Sequence, residues 1–421
     1  MLILHLSDIH FRKVEICTAQ DPNAYLRSEI VRDVAKQCHQ LGVPDAIVVS
    51  GDIAFAGDPE EFTYATQWLA ELCDVCGCSM SSVFVVPGNH DVVRSIADSN
   101  LVQMIHRTIK TSSNPSAEIA KQMRDPESRR LLYKSLDNYN QFALQFLCDL
   151  LPPDRTRATR DLTLNDGSTL RLWGLNSSFV SSSEDKERTL FVDPASLQIT
   201  RENGVVNLVL AHHHPSWLAQ ARELEDHLND VAHVQIFGHV HTNRVDMMRD
   251  YVRFAASAAN PERDEPEWEP GYNLIELSVD GVAEERSLQV RAHVRVWQKA
   301  PGGFQAKMDK TTPVFKHSIK LDYWVPPIDV AVNTNCPIDT VAGTNERPTE
   351  EIHVMSSFRD LALRFYRLSF SKKSEIVGGL DLLEDEDMSL PDFERFRRVF
   401  FRAQARGDLY ALANAVAAAE Q

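Results

Sequence analysis

The chain has 421 residues, 43% of them hydrophobic, 8% aromatic and 25% charged, the proportions of an ordinary globular protein with length enough for two domains. A formal net charge of −16 argues against broad binding to a nucleic-acid backbone, which calls for a basic face. No stretch approaches the apolar length that a bilayer-crossing helix needs.

In chain order, Ile3 to Leu6 is an apolar run that reads as a buried strand and ends on Asp8-Ile9-His10. Leu26, Ile30, Val34, Cys38 and Leu41 recur at helical spacing, with Gly42 as the stop. Ala46 to Val49 is the next strand and delivers Gly51-Asp52. Asp58-Pro59-Glu60-Glu61 then supplies an N-cap, a proline at the first helical position and a carboxylate closing the first turn, and Gly77 ends that helix. Val83 to Val86 leads into Gly88-Asn89-His90-Asp91. From Arg94 to Arg160 helical segments interrupt the alternation. This stretch holds eleven Lys or Arg against seven Asp or Glu, and it reads either as a cap over a site or as a peripheral insertion that stabilises the fold. Leu170 to Asn176 is a strand, with Asn176 as the turn residue that caps it. Val205 to Leu210 runs into His212-His213-His214-Pro215, and His233 to Phe237 into Gly238-His239-Val240-His241. Val252 to Ala258, Gly271 to Val279 and Leu288 to Gln298 read as later strands.

Each of five strands thus places a polar motif at its C-terminal end, the edge where loops of a layered α/β protein converge on a ligand. The ordered blocks Asp-x-His, Gly-Asp, Gly-Asn-His-Asp, His and Gly-His-x-His resemble the calcineurin-like metallophosphoesterase superfamily over residues 1–243, and less closely up to about Asp322. The resemblance implies a four-layer α/β sandwich of two mixed β-sheets flanked by helices, with the later strands closing the second sheet. It also implies a metal-dependent phosphoric ester hydrolase with two divalent ions. Asp8, His10 and His241 would hold one ion, Asn89, His213 and His239 the other, and Asp52 would bridge them. Cations about 3.5 Å apart need a shared anionic oxygen, and neutral imidazoles keep the site from being over-charged. Mn, Fe or Zn suit this donor mixture. A hydroxide between the metals would attack phosphorus in line, His90 would stabilise or protonate the leaving oxygen, and Asp91 would orient the His90 ring. Among the three consecutive histidines, a ligand two residues before the proline selects His213. Neighbours on an extended chain point to opposite sides, so His212 and His214 are expected to face away from that metal. Arg12 and His214 are candidates for substrate binding, each equally readable as a solvent-facing residue, and His5 is expected to be a hydrogen-bonded core residue.

Seven cysteines without framework spacing fit a reducing compartment, and a cytoplasmic protein is expected. Cys73, Cys76 and Cys78 form part of a zinc knuckle, but no second Cys or His pair follows at zinc spacing, so they read as helix-end thiols. Residues 1–322 are expected to be the catalytic domain with 94–160 as its insertion, and the proline-containing stretch 323–350 a linker. In 351–421, Phe358, Leu361, Leu363, Phe365, Leu368, Ile376 and Leu380, then Phe393, Phe396, Val399, Phe400, Leu409, Leu412 and Val416, have helical spacing. They imply a small all-α domain, which weakly resembles the adaptor domains of bacterial conflict or signalling effectors and is expected either to recruit a protein partner or simply to stabilise the enzyme. The substrate expected is a phosphate ester, a nucleotide or nucleic acid among the candidates. A phosphodiesterase or nuclease is preferred, with a phosphomonoesterase or a nucleotide-sensing regulatory protein as the alternatives, and no membrane partner is expected.

Overall fold

The computed structural model describes residues 1–16, 18–255, 258–260, 268–326 and 349–420, the side chains of 349–357 excepted. The order is β1 (Leu2–Leu6), α1 (Ala24–Leu41), β2 (Ala46–Val49), α2 (Pro59–Cys76) and β3 (Val83–Val85). Five helices follow: α3 (Arg94–Ala97), α4 (Asn100–Lys110), α5 (Pro115–Arg124), α6 (Pro126–Lys134) and α7 (Asp137–Ala143). Next come β4 (Arg157–Thr163), β5 (Thr169–Leu175), β6 (Val205–Ala211), α8 (Ala221–Val231), β7 (Val234–Phe237), β8 (Arg244–Met247) and β9 (Val252–Ala255). The chain continues through β10 (Gly271–Asp280), β11 (Ser287–Lys299), β12 (Gly302–Ala306) and β13 (Phe315–Lys320) to α9 (Thr349–Arg367), α10 (Phe370–Gly379), α11 (Asp392–Arg406) and α12 (Leu409–Glu420).

Two mixed sheets form the centre. One runs β12-β11-β10-β1-β2-β3 with β13 also on β11, and the other runs β4-β5-β6-β7-β9-β8. β1, β2 and β3 are mutually parallel, as are β6 and β7, so the loops after each set leave from one edge of its sheet. Helix α2 begins as its sequence requires: Asp58 caps Glu60, Glu61 completes a capping box, Pro59 opens the helix, and Gly77 ends it in a left-handed conformation at φ 74°. The later strands differ from expectation. Only β8 and β9 join the second sheet, whereas β10 pairs antiparallel with β1 (Leu2↔Glu276) and β11, β12 and β13 extend the first sheet from there. β1 would otherwise be an edge strand with unpaired backbone groups, and β10 covers it.

The insertion is shorter than its sequence suggested, because Arg157 already belongs to β4, which pairs with β5. Its Ile109, Ile119, Leu132, Tyr133 and Leu136 are buried within the main hydrophobic core, which makes it an integral part of the sandwich. A second core comprises Phe358, Leu361, Phe365, Phe396, Val399, Phe400, Leu412 and other residues of the C-terminal helices. The two cores interlock: Leu363 of α9 packs in the main core and Leu144, just after α7, packs in the helical one. Most of the stretch expected as a linker, 327–348, lies outside the described residues. Among the described residues no helix is long and apolar enough to cross a membrane.

Candidate metal centre

The loops after β1 and β2 are tied to each other through their backbones. Asp8 N–H donates to Gly51 O (3.0 Å), Ile9 and His10 N–H to Asp52 O (2.8 and 3.0 Å), and Phe11 N–H to Ile53 O (3.0 Å). To turn their side chains into one cleft, Asp8, His10, Asp52 and His239 take left-handed backbone conformations at φ 51°, 53°, 53° and 65°. Such conformations cost non-glycine residues about 1–3 kcal/mol each and persist where surrounding structure holds them. Glycines give the room: a Cβ on Gly88 would lie 2.0 Å from Asp52 Oδ1, and one on Gly238 would lie 2.4 Å from Ser7 Oγ.

Asp52 sits at the middle of the cluster. Its Oδ1 accepts the His90 backbone N–H (2.8 Å), and its Oδ2 lies 3.2 Å from both His10 Nε2 and His212 Nε2. His212 Nε2 is also 3.0 Å from Asn89 Oδ1. Asp8 Oδ1 lies 3.6 Å from His241 Nε2, its Oδ2 accepts from Ser7 Oγ, and the His239 backbone N–H reaches the same oxygen at 3.3 Å. The ligating atoms of Asp8, Asp52 and His212, of His10, Asp52 and His90, and of His212, His213 and His239 form three sets, each within 4.8 Å. The structure therefore gathers Asp8, His10, Asp52, Asn89, His213, His239 and His241, the residues picked out by their motifs, around one centre.

The donor set fits cations. Asp8 Oδ1, His10 Nδ1 and His213 Nε2 are buried without hydrogen-bond partners, lone pairs or N–H groups with nothing to meet. Burial would raise the pKa of Asp52, but the His212 and His90 charges overcome it and hold the carboxyl well below the usual range. Burial would raise Asp8 as well, but the nearby imidazoles of His241 and His212 lower it below the usual range. Burial pushes His239 down to about 3 and lowers His213 strongly, which keeps both imidazoles neutral. His212 goes the other way: burial lowers it, yet Asp52 and Asp8 raise it to about 9. The two carboxylates call for positive charge at its Nε2, and a proton supplies it there when no metal does.

Two expectations change. His212 does not face away from the centre but into it, with Nδ1 2.8 Å from Ser50 O and Nε2 toward Asp52 and Asn89. The alternation rule needs an extended chain, and β6 ends at Ala211 with the chain bending at His212 and His213. His213 is also inside, its Nδ1 2.9 Å from Ser177 Oγ and its ring 4.6 Å from that of His239. Second, Asp91 does not orient His90. Its carboxylate accepts the backbone N–H groups of Ala54 (2.7 Å) and Gly88 (2.8 Å), pinning the loop after β2 to the loop after β3, and burial raises its pKa to about 7. The Phe55 carbonyl takes that role, 2.9 Å from His90 Nδ1, with the Phe55 ring stacked on the imidazole at 4.9 Å. His214 faces away from the cluster, as expected; its Nδ1 accepts the Ser216 N–H (3.2 Å) and caps the short turn Pro215–Trp217.

Arg12 is half-buried with its guanidinium 3.7 Å from the centre of the Phe55 ring, next to the cluster. His5 is the core residue expected, with Nε2 2.9 Å from Ser50 Oγ and Nδ1 3.2 Å from Asn273 Nδ2. Asn176 caps its strand, accepting the Ser178 N–H at 2.8 Å. Sequence reasoning passed over Ser50, Ser177 and Phe55, which orient the histidines; Ser50 directly precedes Gly51-Asp52 and was the one with a local signal.

The C-terminal residues 357–418 match the GTPase-associated adaptor domain. The glycerophosphodiester phosphodiesterase GpdQ of Enterobacter lignolyticus is 38% identical over 95 residues, 22% of this chain and 30% of that protein. An uncharacterized metallophosphoesterase-like protein, YydB of Bacillus subtilis, is 22% identical over 249 residues, 56% of this chain and 48% of its own. The chain thus spans less than half the length of these curated relatives. Among solved structures, a dimetal phosphatase from Danio rerio aligns over 76% of this chain and 98% of its own with a TM-score of 0.42 and 12% identity. Residues 1–243 match the calcineurin-like phosphoesterase family, and the chain belongs to it.

Proposed function

We propose that the chain is a dinuclear metal-dependent phosphodiesterase or nuclease, and that the observation carrying this is the placement of Asp52 Oδ2 midway between His10 and His212. One ion would be held by Asp8, His10, Asp52 and His241, the other by Asp52, Asn89, His239 and His212. His212 takes the place that sequence spacing gave His213, since its Nε2 is the nitrogen beside both Asn89 and Asp52. When bound, two such ions supply Lewis acidity toward the phosphate oxygens and lower the pKa of a water for attack on phosphorus. Mn, Fe or Zn is the metal class that the mixed oxygen and nitrogen donors favour.

The protein's own residues do the rest. Asp52 and Asp8 hold negative charge in the cleft, and Ser50 and Ser177 set the rings of His212 and His213. His90 has its Nδ1 anchored on the Phe55 carbonyl, which leaves Nε2 for the leaving oxygen, where it delivers or shares a proton. Arg12, over the Phe55 ring beside the cluster, would pair with a phosphate oxygen of the substrate. The preference for a diester rests on the GpdQ match and on the surplus of basic residues in the 94–160 segment. We further propose that 1–322 is the catalytic domain, that 351–421 docks on it and offers a surface to a protein partner, and that the enzyme works in the cytoplasm.

Turnover with Mn²⁺ tests the activity. The full-length protein is expected to cleave bis(p-nitrophenyl) phosphate faster than p-nitrophenyl phosphate. Asp52→Asn, which keeps the shape of the side chain but not its charge, is expected to abolish turnover and lose at least one ion by metal analysis. Preference for the monoester would make the chain a phosphomonoesterase, and nucleotide binding without phosphate release would make it a sensor.

A further inference from the structure

β4 is the end strand of the second sheet, and beside it the structure leaves a cleft of about 1120 Å³. Every residue of β4 lines it, as do Phe358 and Arg359 of α9 and Arg397 and Phe401 of α11. The cleft therefore lies where the sandwich meets the C-terminal helices, and none of the residues gathered at the metal centre lines it. Arg155, Arg157, Arg160, Arg171, Arg359 and Arg397 do, six arginines against four aspartates. Their charges are unevenly paired. Asp149 takes Arg155 and Arg397, Asp161 takes Arg171 at 2.8 Å, and Asp45 and Asp154 are exposed to water. Three arginines are left without a carboxylate. Arg157 gives Nη1 to the carbonyls of Ser196 and Gln198 at 2.8 and 3.0 Å. Arg160 is buried, gives Nη2 to the Phe146 carbonyl at 3.0 Å and leaves Nη1 unpaired. Arg359, half-buried, makes no hydrogen bond or ion pair among the described residues.

We propose that this cleft is a second ligand site, one that holds the phosphate groups of a nucleotide, with Arg359 and Arg157 in contact with them. A buried cation is normally paired, because losing water costs it several kcal/mol that only an anion offsets. Here the anion is missing for Arg160 and Arg359 alike, and a bound phosphate supplies it. Arg160 acts through its field: burial lowers its pKa only to about 10, so it keeps its charge at neutral pH, in surroundings that screen it weakly. Guanidiniums suit phosphate in particular, since their planar fork matches two of its oxygens at once. The size points to a small molecule, pockets for such ligands spanning roughly 300–1,000 Å³. A nucleic acid would need the basic surface to continue beyond the cleft, whereas Asp45 and Asp154 lie exposed among its lining residues and the chain as a whole carries a charge of −16.

A ligand held there touches the sandwich through Arg157 and α9 through Arg359, so it braces the seat of the C-terminal helices. Isothermal titration of the full-length protein with the imido analogue of ATP, with AMP and with inorganic phosphate tests the site. Saturable binding is expected, tightest for the triphosphate. Arg359→Ala is expected to weaken it by about ten- to hundredfold, the loss of a charge-assisted contact, and Arg157→Ala to weaken it as well. Asp52→Asn should leave it in place, because Asp52 belongs to the other cluster. In the unmutated protein the bound analogue is expected to slow hydrogen exchange in α9 and α11, a measurement that stands if a variant fails to fold. Binding that survives both arginine substitutions and is lost in Asp52→Asn would place the ligand at the metal centre and overturn the proposal, as would absence of saturable binding at millimolar concentration. Phosphate binding as tightly as the nucleotides would overturn the nucleotide assignment in favour of free phosphate. An oligonucleotide or an acidic peptide that binds more tightly than the analogue and is lost in Arg359→Ala would overturn it in favour of that polymer.

Discussion

Replacing Asp149 by asparagine should loosen the C-terminal helices without touching the catalytic centre. The Asp149 carboxylate is fully buried and receives Arg397 Nη1 from α11, with Arg155 Nη2 at 3.1 Å; Arg155 also binds Glu394 of α11. Glu394 also takes Arg398 Nε at 3.0 Å, so two acids meet three bases at the junction. Removing one anion leaves Glu394 against three guanidiniums, an uncompensated charge in a setting where the Arg155 and Arg397 side chains are only 20% and 15% exposed. Breaking one partner of a buried ion pair costs 3–5 kcal/mol, and the residual exposure of the arginines favours the lower end, about 3 kcal/mol or roughly a hundredfold in the docking equilibrium. Urea unfolding of the full-length protein, with hydrogen exchange read on α11, measures it. Asp149→Asn is expected to expose α11 and lower the first transition, and adding Arg397→Met should return part of the loss. A change below about 0.5 kcal/mol would mean that the network sits in effective contact with water and contributes as little as a surface pair.

Other outcomes are open to direct measurement. His212→Ala should lose one of the two ions while His213→Ala keeps both, by metal analysis; the reverse pattern returns the ligand to His213. His90→Gln should keep both ions yet lose on the order of 10² to 10⁴ in turnover on esters with poor leaving groups, with a smaller loss on nitrophenyl esters. An equal loss on both would remove it from the leaving oxygen. His106 of α4 is buried with neither ring nitrogen paired, and burial lowers its pKa to about 4. A buried neutral histidine contributes its full stability above the unfolded value of 6.5 and loses it as pH falls through the folded value, about 3 kcal/mol by pH 4. Unfolding free energy of His106→Leu should therefore depend less on pH between 6.5 and 4 than that of the native chain, and parallel curves would contradict this.

Much of the site was legible along the chain because its signals are local. A branched apolar run followed within a few residues by Asp-x-His or Gly-Asn-His-Asp names both the strand and the end that carries chemistry. Asp58, Pro59 and Glu61 start α2 through contacts spanning only three residues. The helical spacing of Phe358 to Val416 likewise needs no partner to be read. Tertiary structure decided whatever depends on distant groups or on a break in periodicity. A bend after Ala211 turned both His212 and His213 inward, where an extended strand would have separated them. The Phe55 carbonyl, 35 residues before His90, took the orienting role given to adjacent Asp91, whose side chain was drawn instead to the backbone of the neighbouring loop. β10 crossed back to cover β1, Leu144 and Leu363 exchanged cores, and α1 brought Cys38 to the end of α2. Spacing in sequence reports which residues share a face of one element; which faces then meet is settled by burial and pairing across the whole fold.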